Sequence, residues 1–108
     1  MKKVYVAGPL NSSGNVAANI RQAFHIATLL VDKGFAPFVP HTTHFWDMVY
    51  PRSETFWMML DFEFLLLCDA VFRIPGESKG ADAEVEFAMR NGIPVYGTID
   101  ELIEEQGK

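Results

Sequence analysis

Asp69-Ala70-Val71-Phe72-Arg73-Ile74, then Pro75-Gly76-Glu77-Ser78-Lys79, then Gly80-Ala81-Asp82-Ala83-Glu84-Val85-Glu86-Phe87-Ala88 is the stretch that decides the fold class. The first six residues form an apolar, β-prone run, which reads as a buried strand. Turn residues follow, and the pattern then becomes helical, with a helix expected from Ala81 to Asn91 and a stop at Gly92. Small residues and a hydroxyl lie where a strand turns into a helix. Backbone N–H groups at such a junction can meet an anion. Glu84 follows Ser78 by six residues and borders the apolar stripe of Ala81, Val85, Ala88 and Met89. Glu86 points away from it. The helix N-terminus is expected to favour an ionised Glu84.

The rest of the chain repeats this alternation. Lys3 to Ala7 reads as a buried first strand ended by Gly8-Pro9, and Asn11 to Asn15 as a polar loop rich in capping residues. Val16 to Lys33 is expected to be a helix with Ile20, Ala23, Phe24, Ala27, Leu30 and Val31 inward. Phe35 to Val39 reads as a strand, placed at an edge by Pro37, which lacks an N–H. Pro40 to Arg52 reads as irregular. Ser53 can cap a helix running to about Cys68, Ile93 to Tyr96 reads as a fourth strand, and Ile99 to Glu105 as a last helix.

Strands alternating with helices imply one α/β domain over residues 1–108. The expectation is three layers around a parallel sheet of four to five strands, flavodoxin-like or Rossmann-like. Ligands in such sheets bind beyond the strands' C-terminal ends. The Asn11–Asn15 loop, the His41–Asp47 segment and the Ser78–Glu84 turn should therefore converge on one cleft. Gly8, Asn11, His41, His44, Ser78, Gly80 and Asp82 are the candidate substrate contacts there.

Composition narrows the class. The chain has 108 residues, is 49% hydrophobic and carries a net charge of -5, which gives no general attraction to polymeric nucleic acid. The single Cys68 permits no internal disulfide and fits a reducing compartment. Only Val4 to Val6 separates Met1-Lys2-Lys3 from Gly8-Pro9, too short for a signal-peptide core. No apolar run is long enough to span a membrane. A cytoplasmic protein is expected. His41 and His44 lack an obvious third metal ligand, since Cys68 and the helical His25 are the remaining soft or imidazole donors.

At this point three segments resemble the nucleoside 2-deoxyribosyltransferases and the related nucleoside 5'-monophosphate N-glycosidases. They are Val4-Tyr5-Val6-Ala7-Gly8-Pro9-Leu10, Asp61-Phe62-Glu63-Phe64-Leu65 leading into Asp69-Ala70-Val71, and Ser78-x-Gly80-x-x-x-Glu84-x-x-x-Ala88. The resemblance implies that Glu84 attacks the anomeric carbon. It also implies that Asp61 orients the sugar or handles the base's proton, and that Tyr5 lies near both. Ser78 and Gly80 match phosphate-contacting positions, and Arg21 is a substitute for an arginine-rich run absent after Gly8. No metal or organic cofactor is implied. The implied partners are a small nucleoside or nucleotide and further copies of the chain, as a homodimer or larger assembly. A non-catalytic nucleotide-binding module of the same fold is the alternative.

The chemistry is coherent on the residues alone. Breaking an N-glycosidic bond needs a carboxylate to trap an oxocarbenium-like sugar and usually a proton for the departing base. Glu84 suits the first task, and Asp61 or Asp82 suits the second if its pKa is raised. The aromatic segment from His44 to Trp57 is too apolar to face water alone, which suggests a subunit contact.

Overall fold

The computed structural model describes residues 1–12 and 14–107; Ser13, within the expected polar loop, lies outside them. The elements in order are β1 (Lys3–Ala7), α1 (Val16–Asp32), β2 (Ala36–Phe38), a 3-10 turn (Pro40–Thr42), α2 (Thr43–Val49), α3 (Glu54–Leu65), β3 (Ala70–Arg73), α4 (Lys79–Arg90), β4 (Val95–Tyr96) and α5 (Ile99–Gln106). The four strands form one parallel sheet in the order β2-β1-β3-β4. This is the flavodoxin-like arrangement, with the switch point between β1 and β3. Pro37 lies in β2, an edge strand, as its missing N–H requires.

The β pleat divides the chain's apolar residues between two cores. Val4 and Val6 of β1 join Phe72, Ile74, Ala23 and Leu30 of α1, and Leu102 of α5. Tyr5 and Ala7 face the other way, with Val71, Leu65 of α3, and Ala81 and Ala88 of α4. Helices thus cover both faces. Among the described residues no helix is long and apolar enough to cross a membrane.

Local signals place the helix starts. Asn15, Ser53, Ser78 and Thr98 each accept a bond from a backbone N–H three residues on, at 3.1, 3.1, 3.1 and 3.2 Å. Gly8 is needed at the end of β1, because a Cβ there would lie 2.9 Å from Cβ of Ile74.

Three expectations fail. The segment after Pro40 is helical rather than irregular. Thr42 and Thr43 fold their hydroxyls back onto the carbonyls of Val39 and Pro40, both at 2.8 Å, and α2 continues from that turn. Phe24, Val31 and Met89 are exposed rather than inward. A sheet of strands two to five residues long covers a narrower strip of each helix than the apolar pattern offers. The α4 stripe is instead Ala81, Glu84 and Ala88, with an acid inside it.

Candidate active site

A cleft of about 620 Å³ opens beyond the C-terminal ends of β1 and β3. The first loop brings Gly8 and Asn11 to it, the segment after β2 brings His41, His44 and Asp47, and the turn after β3 brings Ser78 and Gly80. Asp61 from α3 and Glu84 from α4 also line it.

The two acids sit where apolar residues are expected. In α3 the buried residues are Trp57, Asp61 and Leu65, one helical turn apart. In α4 they are Ala81, Glu84 and Ala88. Asp61 is 7% exposed and Glu84 6%. Buried carboxyls are uncommon enough to need a reason. The stacked rings of Phe62 and Phe87, with centroids 4.1 Å apart and planes nearly parallel, tie the two helices together beside these residues.

Tyr5 is fully buried, and its hydroxyl donates a hydrogen bond to Oε2 of Glu84. Burial, then the neighbouring carboxylates, hold the phenol well above its usual range, so it keeps its proton. Burial pushes Glu84 up to about 8, outweighing the Tyr5 hydrogen bond; Asp61 raises it further and Arg73 opposes. Burial also lifts Asp61 to about 7. This corrects the expectation of an ionised Glu84. It lies six residues into α4, beyond the first turn where the helix end acts strongly. Desolvation therefore decides its charge. Two such acids hold protons into the neutral range and titrate as a pair.

His41 is buried with Nε2 3.0 Å from the carbonyl of Pro9. A carbonyl only accepts, so Nε2 carries the proton and Nδ1 is left as an acceptor. Burial lowers the His41 pKa, keeping the ring neutral. Nδ1 of His41 and Oδ1 of Asp61 have no hydrogen-bond partner among the described residues. Buried polar atoms without partners are exceptional, and at a cleft they mark places for a ligand's polar groups.

Two sequence candidates lie elsewhere. Arg21 is exposed on α1 and does not line the cleft. It follows the buried Ile20 and precedes the buried Ala23, so it falls on the solvent side of that helix. Asp82 is also outside the lining; its carboxylate pairs with Arg73 at 2.9 Å. Several lining residues were not among the candidate contacts, although Asp47 ends a segment expected at the cleft. Arg52 stacks on the Phe56 ring at 4.5 Å, and Oδ1 of Asp47 accepts bonds from the Arg52 backbone at 2.9 Å and the Trp57 indole at 2.7 Å. These pairings join separate elements, and no local spacing signals them. Glu77 and Lys79 flank Ser78 in the lining and were within reach of the turn argument.

Residues 2–98 match the family model described as Domain of unknown function (DUF7768). The chain belongs to this family. No protein of curated function matches it. Three solved structures share its architecture. A 2-deoxyribosyltransferase from Bacillus psychrosaccharolyticus is 23% identical, with a TM-score of 0.65 over 90% of this chain and 75% of that one. A conserved protein from Enterococcus faecalis V583 is 17% identical, with a TM-score of 0.68 over 100% and 76%. A 2-deoxyribosyltransferase from Leishmania mexicana is 19% identical, with a TM-score of 0.64 over 88% and 62%. This DUF7768 member therefore has the nucleoside deoxyribosyltransferase-like fold.

Proposed function

We propose that the protein cleaves or exchanges the N-glycosidic bond of a (deoxy)nucleoside or its 5'-monophosphate, with Glu84 as nucleophile. The observation that carries the reading is Glu84 buried at the floor of a cleft at the sheet's switch point, held by the Tyr5 hydroxyl with Asp61 facing it. The similarity in fold to two 2-deoxyribosyltransferases supports it.

In this reading the ionised Glu84 attacks the anomeric carbon. A carbon–oxygen bond forms as the carbon–nitrogen bond breaks, and the bonding pair leaves on the base nitrogen, which takes a proton from Asp61. Water or a second base then attacks the same carbon, gives its proton to Asp61, and frees Glu84. Asp61 must be protonated when Glu84 is not. With Glu84 at about 8 and Asp61 at about 7, the single proton held between the two ionisations sits mostly on Glu84. The reactive form is therefore the minor one, in which that proton has moved to Asp61. It is still most populated between about pH 7 and pH 8, where kcat/KM should peak. Tyr5 orients Glu84. The α4 N-terminus, with Ser78 and Gly80, is the proposed seat of a 5'-phosphate.

Incubation with a panel of nucleosides and their 5'-monophosphates, followed by chromatography for free base, tests this. Base release from at least one member is expected, with higher kcat/KM for the monophosphate of a pair. Thermal stabilisation by a nucleotide without any base release would instead support the binding-module alternative. The exposed Phe45, Trp46, Met48, Val49 and Tyr50 on and beside α2, the helix whose Thr43, His44 and Asp47 line the cleft, support a homo-oligomer, because so many large apolar side chains are unfavourable in water. Light scattering at micromolar concentration should report at least twice the mass of one chain, and Trp46→Ala should lower it; a monomer would refute the assembly.

A further inference from the structure

The turn that carries Ser78 needs something to hold it, because it joins β3 to α4 without regular structure. Gly76 in this turn has φ +126, and a Cβ there would lie 2.9 Å from Cγ of Pro9. Arg73, the last residue of β3, supplies the remaining constraint. Its guanidinium donates to the carbonyl of Ile74, to the carbonyl of Gly76 at 2.9 Å, and to Oδ1 of Asp82 at 2.9 Å. The strand, the turn and the first turn of α4 are thus gathered on one side chain.

The same guanidinium faces Glu84. Alternation along β3 puts Arg73 on the side of Val71, which packs with α3 and α4, while Phe72 and Ile74 face α1 and α5. The charged and titratable groups facing Glu84 are Tyr5 from β1, Asp61 from α3 and Arg73 from β3, and of these Arg73 alone is a cation. Its side chain is 17% exposed, whereas that of Asp82 is 73% exposed. The cation lies inside and its counter-charge stands in water.

An ion pair with one partner this exposed contributes little to stability. A planar guanidinium with five donors does, however, suit a position where two carbonyls and a carboxylate must be held at once. We propose that Arg73 is a positioning residue for Glu84: it locks the Ser78 turn and supplies the positive charge that lets the buried carboxyl ionise, while Asp82 tempers that charge. The inference rests on the reading of Glu84 as nucleophile. It assigns Asp82 to the support of Arg73 rather than to substrate.

The two halves of the pair should act on Glu84 with opposite sign. Removing the cation disfavours the carboxylate, whereas removing the outer anion leaves the cation less neutralised and favours it. The test is direct titration of the Glu84 carboxyl by carbon-detected NMR, beside the pH profile of base release, in Arg73→Gln, Arg73→Lys and Asp82→Asn. Arg73→Gln should move the Glu84 midpoint up by about one pH unit and lower base release at pH 7 about tenfold. Arg73→Lys should recover most of the shift, and Asp82→Asn should move it down. Unchanged midpoints, or shifts of one sign in Arg73→Gln and Asp82→Asn, would overturn the proposal, because a loosened turn admits water in both. Asp82 is exposed, so if Arg73→Gln fails to fold its variant still tests the coupling: an unchanged or raised Glu84 midpoint in Asp82→Asn would overturn the proposal. The titration is independent of turnover. Absence of base release in the unaltered protein would count against the proposed function, not against the coupling.

Discussion

The two faces of the sheet are built from the same short strands but behave as different materials. The α1 and α5 face holds Val4, Val6, Ala23, Leu30, Phe72, Ile74 and Leu102, with no buried acid among the described residues. The α3 and α4 face holds Tyr5, Ala7, Val71 and two alanines, and then Asp61 and Glu84 in positions that apolar side chains would fill. One face contributes stability at every position. The other gives up part of that stability to keep ionisable groups out of water, where their pKa values can be shifted into the working range.

The largest effect expected from this contrast is on the apolar face. Leu30→Ala should destabilise the fold by about 2–5 kcal/mol, because Leu30 is fully buried and the sheet cannot collapse onto the gap. Urea denaturation measures it. A cost below 1 kcal/mol, within the range of surface substitutions, would erase the distinction between the faces.

On the other face a buried substitution should do the reverse. Folding raises the Glu84 pKa from 4.5 to about 8. A carboxyl raised in this way contributes stability that is fully present below the unfolded pKa and lost as pH rises through the folded one. Glu84→Gln keeps the shape without the ionisation. Its melting temperature should match the unaltered protein near pH 4.5 and exceed it by ~4 °C or more at pH 8.5. An equal difference at both pH values would show that Glu84 is not held neutral by burial.

Smaller still is the expected effect of Ser78→Ala. Loss of the cap to the Ala81 N–H should cost about 1 kcal/mol, with KM for a monophosphate rising more than KM for the matching nucleoside. Equal changes in both would limit Ser78 to its capping role.

What was legible in the sequence follows the same division. Features set by neighbours along the chain could be read: Pro37 as an edge residue, Ser53 as a helix cap, Glu84 and Glu86 on different sides of α4. Glu86 is exposed and paired with Arg90 one turn on. Features set across the fold could not. The apolar run of β1 does not by itself say which residues turn toward α4; the family resemblance alone implied Tyr5 near Glu84, and the pleat of β1 with the packing of α4 brings the two together. The helix dipole suggested an ionised Glu84, but the layers above and below decide its solvation. α2 was missed because its aromatic and β-branched residues are weak helix formers, and its start depends on a 3-10 turn at Pro40. The Arg73–Asp82 pair bridges nine residues across a turn, a distance at which no periodicity signals contact.

The account stands on Glu84, and comparing it with its neighbour on the other side of the helix tests that most directly. Base release from the best nucleoside or monophosphate should be measured for Glu84→Ala and Glu86→Ala, with circular dichroism to confirm the fold. The expected result is a loss of at least ~10³-fold for Glu84→Ala, as when an enzyme's nucleophile is removed, and a rate within about twofold of the unaltered protein for Glu86→Ala. Near-normal turnover by a folded Glu84→Ala would contradict the nucleophile and with it the reading of the polar face.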